Sequence, residues 1–138
     1  METKEIPTVL LYAALDSGER LERVVTGLVP QEKLHVYRTI RELSEGLRVP
    51  MEQAPIAVIL AATADELSMI VSLSYLLDDV RSILILPDRQ EPTVAIGHSL
   101  RPRFLSYKDS DFAAVAAVLT RMMEGPCIDA PPRCQGTG

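Results

Sequence analysis

Three short stretches of almost unbroken apolar residues constrain this chain most: residues 8–15 (TVLLYAAL), 56–62 (IAVILAA) and 82–86 (SILIL). A strand with one wet face alternates polar and apolar side chains; a run without alternation reads as a strand covered on both faces, the habit of parallel sheets. Two further stretches, 33–38 (KLHVYR) and 103–107 (RFLSY), carry aromatic or β-branched residues between Pro, Gly or charged boundaries and read as weaker strands. The chain therefore has five predicted strands.

Helical patterns separate them. Asp16 with Glu19, Thr39 with Glu42 and Thr63 with Glu66 each have the spacing of a capping box, in which a short oxygen side chain accepts from a first-turn N–H and the Glu reaches back. The first predicted helix presents Leu21, Val24, Val25 and Leu28 and stops near Gly27 to Pro30; the second carries Ile40, Leu43 and Leu47 and ends at Pro50. The third (64–77) and the last (111–123) are apolar on more than one side, beyond what a helix with one solvated face requires. Residues 88–102 contain Pro92, Gly97 and Pro102, so the fourth helix is expected to be short or irregular.

Strands and helices alternating in this way predict an α/β fold: a doubly wound, five-stranded parallel sheet, (βα)5 and flavodoxin-like, with any ligand site at the C-terminal strand ends. With 138 residues, 47% apolar and 24% charged, there is room for one domain, expected over residues 1–124, followed by a flexible tail over 125–138. Cys127 and Cys134 lie in that tail and could pair through its short loop, but without a His neighbour they make a poor zinc site, and reduced thiols are the simpler reading.

Composition narrows the function classes. A formal charge of −5 and no Lys/Arg run give no footprint for nucleic acid or an anionic membrane. The N-terminus carries Glu2, Lys4 and Glu5 in place of an apolar signal core, and no apolar stretch reaches the roughly 18 residues of a membrane span. The expected location is the cytoplasm. The loop AALDSGER after the first strand has a single Gly, so neither a dinucleotide fingerprint nor a P-loop is present, and no cofactor is expected. His35 and His98 have no Cys, Ser or second His at a catalytic spacing. His98, Ser99, Arg101, Arg103 and Lys108 together could form a small anion pocket at the fifth strand, against the simpler reading of a solvated loop.

Over nearly its whole folded length the chain resembles a response-regulator receiver domain. That family places an acidic pair after the first strand, a phosphoacceptor Asp at the end of the third, a Thr or Ser after the fourth and a Lys after the fifth. Here VLLY is followed by Ala13 and Ala14, PIAVIL by Ala61 and SILIL by Pro87, while Lys108 falls at the lysine position unless a one-residue shift puts Tyr107 there. Magnesium needs oxygen ligands and phosphoryl transfer needs a nucleophile; alanine supplies neither. No metal, phosphoacceptor or catalytic residue is expected.

The resemblance implies a degenerate receiver: a phosphorylation-independent protein-interaction module in bacterial signal transduction of the two-component type, forming a homodimer and binding a protein partner. In the receiver family a common contact surface is made by the fourth helix, fifth strand and fifth helix, which maps onto Phe112, Val115, Ala116, Leu119 and Arg121 with Arg103 and Tyr107 beside them. Two alternatives stay open. One is a small ligand-binding or enzymatic domain using a strand-end crevice near Asp16, Thr63, Asp88 and Lys108; the other is a structural homo-oligomer subunit.

Overall fold

The computed structural model describes residues 7–13, 18–49, 55–78, 80–110 and 112–124. Ala14, Asp16, Asp111, Cys127, Cys134 and the whole predicted tail lie outside the described residues. The elements run β1 (Val9–Tyr12), α1 (Glu19–Thr26), a 3-10 turn (Gln31–Lys33), β2 (Leu34–Tyr37), α2 (Ile40–Leu47), β3 (Ile56–Leu60), α3 (Ala64–Val71), α4 (Ser74–Leu77), β4 (Arg81–Leu86), α5 (Glu91–Ser99), β5 (Phe104–Tyr107) and α6 (Ala113–Glu124).

The five strands form one parallel sheet in the order β2-β1-β3-β4-β5, the doubly wound arrangement expected from the sequence. Val9 pairs with Leu34 on one side and Ile56 on the other, Ile56 with Arg81, and Ile83 with Phe104. The three apolar runs are the three inner strands: every residue of β1 and β3, and all of β4 after Arg81, is buried. Successive side chains alternate between two cores. Val9, Leu11, Val58, Leu60, Ile83 and Ile85 meet Leu21 and Val25 of α1 and Val115 and Leu119 of α6. Tyr12, Ala57, Ile59, Leu84 and Leu86 meet Leu43 of α2, Leu67 and Ile70 of α3, and Leu77 of α4.

Two of the three capping boxes are present. The Thr39 and Thr63 hydroxyls accept from Glu42 and Glu66 N–H, each at 3.1 Å. Each Glu reaches back one residue further than the capping box requires, to Arg38 N–H (2.8 Å) and Ala62 N–H (2.9 Å). Helix α1 differs: its N-cap is Gly18, with no side-chain bond, and Glu19 is its first residue.

The helical stretch expected over 64–77 is broken at Ser72–Leu73, where the Ser72 hydroxyl donates to the Met69 carbonyl and competes with the helical ladder. Within residues 88–102, where a short or irregular helix is expected, Glu91–Ser99 form a short, regular helix of nine residues. Pro92 sits in its first turn, where a missing N–H costs nothing, and Gly97 lies where an added Cβ would meet Leu86 Cδ2 at 3.0 Å, so the glycine permits close packing rather than breaking the helix.

The apolar excess of α6 is core. Phe112, Val115 and Leu119, expected on a contact face, are buried against the sheet and are unavailable to a partner. Ala116 is half-buried, while Arg103 and Arg121 are exposed. Leu119→Ala should lower the free energy of unfolding in urea by about 2–5 kcal/mol, the cost of a cavity in a packed core. Arg121→Ala should stay within about 0.5 kcal/mol of the parent. Equal effects of the two would contradict this placement.

Candidate functional site

Parallel strands end together, so the residues after β1, β3, β4 and β5 share one edge. Ala13 and Ala61 sit there, both fully buried. Ala13 N–H donates to Tyr37 O (3.1 Å) and Ala61 N–H to Ile85 O (2.9 Å), which extends the ladder past the last strand residues and closes the edge.

Side chains from three segments engage backbone groups along it. Lys108 follows β5 directly, its N–H donating to Leu86 O (2.9 Å), and its ammonium reaches across to the Ala62 carbonyl at 3.1 Å. This fixes the register left open by the sequence: Lys108, not Tyr107, holds the position after the strand. Glu66, in the first turn of α3, binds Ala62 N–H through Oε1 and accepts from the Tyr12 hydroxyl through Oε2 (3.3 Å), tying the ends of β1 and β3 together. Arg38, just beyond β2, donates to the Ala13 carbonyl (3.4 Å) and pairs with Glu22 of α1 at 2.8 Å.

The described crevice candidates, Thr63, Asp88 and Lys108, are engaged in local structure. The Thr63 hydroxyl caps α3. Asp88 accepts from Gln90 N–H at 2.9 Å, a side-chain turn that leads into α5. Arg89 places one nitrogen on both Asp109 carboxylate oxygens (3.0 and 2.8 Å) and stacks on Tyr107, 4.3 Å from the ring centre, covering that half-buried side chain. The predicted anion pocket does not assemble. His98, Ser99, Arg101 and Arg103 lie before β5 and Lys108 after it, at opposite ends of a strand whose span puts them roughly 16 Å apart. No group of three or more His, Cys, Asp or Glu among the described residues could hold a metal ion.

Glu66 and Arg38 are the edge residues that sequence reasoning missed. Glu66 carried a signal, the third position of a capping box, but its second oxygen and the Tyr12 partner required the fold. Burial first, and then the negative charge and hydrogen bond of Glu66, push the Tyr12 phenol up to about 12. Tyr37 is raised by burial and then by Glu42.

Comparison with protein-family models gives no match, and comparison with curated proteins gives none. Among solved structures the chain is similar to a 2.50 Å crystal structure of a "Putative pilus assembly-related protein" from Burkholderia pseudomallei K96243. The TM-score is 0.60 at 20% identity, over 90% of this chain and 94% of that one. The two share a fold; the identity carries the likeness no further.

Tyr12 keeps its proton in the folded state between pH 10 and 12, where the unfolded chain releases it, so the stability it contributes is complete below pH 10 and lost toward pH 12. An absorbance titration of the four tyrosines should therefore show a last phenol ionising near pH 12. Tyr12→Phe should delete that step, and Glu66→Gln should move it to lower pH. Persistence of the step in Tyr12→Phe would reassign it.

Proposed function

We propose that this protein is a phosphorylation-independent, receiver-like interaction module that serves bacterial signal transduction in the cytoplasm by binding another protein. The observation that carries the reading is the chemistry of the strand-end edge. Alanines that are fully buried stand at two of the receiver family's carboxylate positions, Ala13 and Ala61, and the sequence puts Ala14 at the third. The retained Lys108 is engaged by a backbone carbonyl. An edge so composed offers magnesium no carboxylate at these positions and a phosphoryl group no nucleophile. Among the described residues no helix is long and apolar enough to cross a membrane.

The exposed large apolar side chains sit on the opposite layer from α6. Met69 of α3 (48% exposed), Tyr75 of α4 (60%) and Ile96 of α5, with Val49 after α2, lie outside the second core. They, rather than the buried stripe of α6, are the better contact candidates, for a second copy of the chain or for another protein. The structurally similar chain is described as pilus assembly-related, a setting in which a binding module has a place.

Incubation with acetyl phosphate and magnesium should leave the protein's intact mass unchanged, and beryllofluoride should leave its amide NMR spectrum unchanged. A partner recovered from host lysate should be retained equally with and without those reagents and be lost with Met69→Glu or Tyr75→Glu. A magnesium-dependent phosphoryl adduct would overturn the reading.

A further inference from the structure

At the end of the sheet opposite the strand-end edge lie four arginines. Arg81 opens β4, and its guanidinium donates to the carbonyl of Met122, the neighbour of Arg121 in α6 (3.4 Å). Arg103 lies beside it, its N–H donating to Ser82 O at 2.7 Å, and Arg101 is two residues earlier. Arg101, Arg103 and Arg121 are exposed, and none of them has a side-chain hydrogen bond or ion pair to another described residue. In a chain of net charge −5 this is a local reversal of sign.

The backbone supplies a second observation. Arg101 follows Leu100, the C-cap of α5, with φ at 55°, the left-handed conformation in which helices usually place glycine. Its N–H caps His98 O at 3.0 Å, so the turn itself needs only the backbone. An arginine held where glycine fits with less strain points to work for the side chain. Arg101 also lines a polar cavity of about 320 Å³ between α4 and α5, together with Ser74, Asp78 and Ser99.

We propose that this corner receives a short acidic segment of a protein partner, whose carboxylates are held by the guanidinium groups of Arg101, Arg103 and Arg121. The inference rests on the interaction-module reading and gives that partner a chemistry. Guanidinium presents a planar fork of donors that matches a carboxylate, and charge pairs at an exposed rim act mainly on association rate and salt dependence. A nucleic acid fits less well. Its charge continues beyond four arginines onto a chain that is acidic elsewhere; a few carboxylates end where the arginines end.

The test is fluorescence anisotropy of the full chain with a labelled hexaglutamate peptide, against hexaglutamine and a single-stranded DNA oligonucleotide of equal charge, at low and physiological salt. Expected are binding of hexaglutamate that weakens with salt, no binding of hexaglutamine, and at least about tenfold weaker binding in Arg103→Gln/Arg121→Gln. Arg101→Gly should weaken binding while raising the melting temperature, a combination that misfolding cannot produce. Absence of hexaglutamate binding at low salt, unchanged affinity in the arginine variants, or equal or tighter binding of the oligonucleotide would overturn the proposal. A lysate partner that survives the arginine changes but not Met69→Glu would remove this site and leave the module reading standing.

Discussion

The structure depends on one constraint: three neighbouring strands, β1, β3 and β4, have almost no wet face. Each residue along them needs cover, and the alternation of side chains divides that demand between two helical layers. Burial at about 25 cal/mol per Å² of apolar surface drives the assembly, and it leaves little choice in where α1 and α6, or α2 to α5, can lie. The edge strands β2 and β5 are only half-covered, and they are the strands whose sequences read weakly. Strength of sequence signal here follows depth in the sheet.

The same logic separates what was legible from what was not. Fold class follows from short unbroken apolar runs alternating with capped helical patterns, the arrangement of a covered parallel sheet. The alanines at 13 and 61 were legible for the same reason, each standing directly after a run. The contact face was not. Phe112, Val115 and Leu119 form an apolar stripe, and a stripe records that a helix face is covered without recording by what. Met69 and Tyr75 lie on either side of the break at Ser72–Leu73, where a hydroxyl competes with the backbone, an event that periodicity does not register. Pro92 and Gly97 misled in the other direction: both are breakers in isolation, and both fit this helix by position, one in the first turn and one against Leu86.

Charge in the fold is polarised by its architecture. Helices α1, α2, α3 and α5 start after strand ends, and their first turns carry Glu19, Glu22, Glu42, Asp65, Glu66 and Glu91, where the positive end of the helix dipole favours anions. The opposite end gathers Arg101, Arg103 and Arg121 near helix ends and strand starts. Dipole compensation alone accounts for a general tendency of this kind. It does not account for a left-handed arginine, since the dipole is served equally by a cation on ordinary backbone.

The closed edge also bears on regulation. A switch requires two arrangements that a ligand stabilises unequally. Clustered carboxylates on one site repel each other, and the cation or covalent group that relieves the repulsion can select between states. With alanine at these positions that repulsion is gone, and Lys108, Glu66, Tyr12 and Arg38 satisfy the exposed backbone groups within a single arrangement. On the proposed reading, control therefore passes from chemistry at the edge to mass action at the surface, and occupancy is set by the concentrations of the module and its partner.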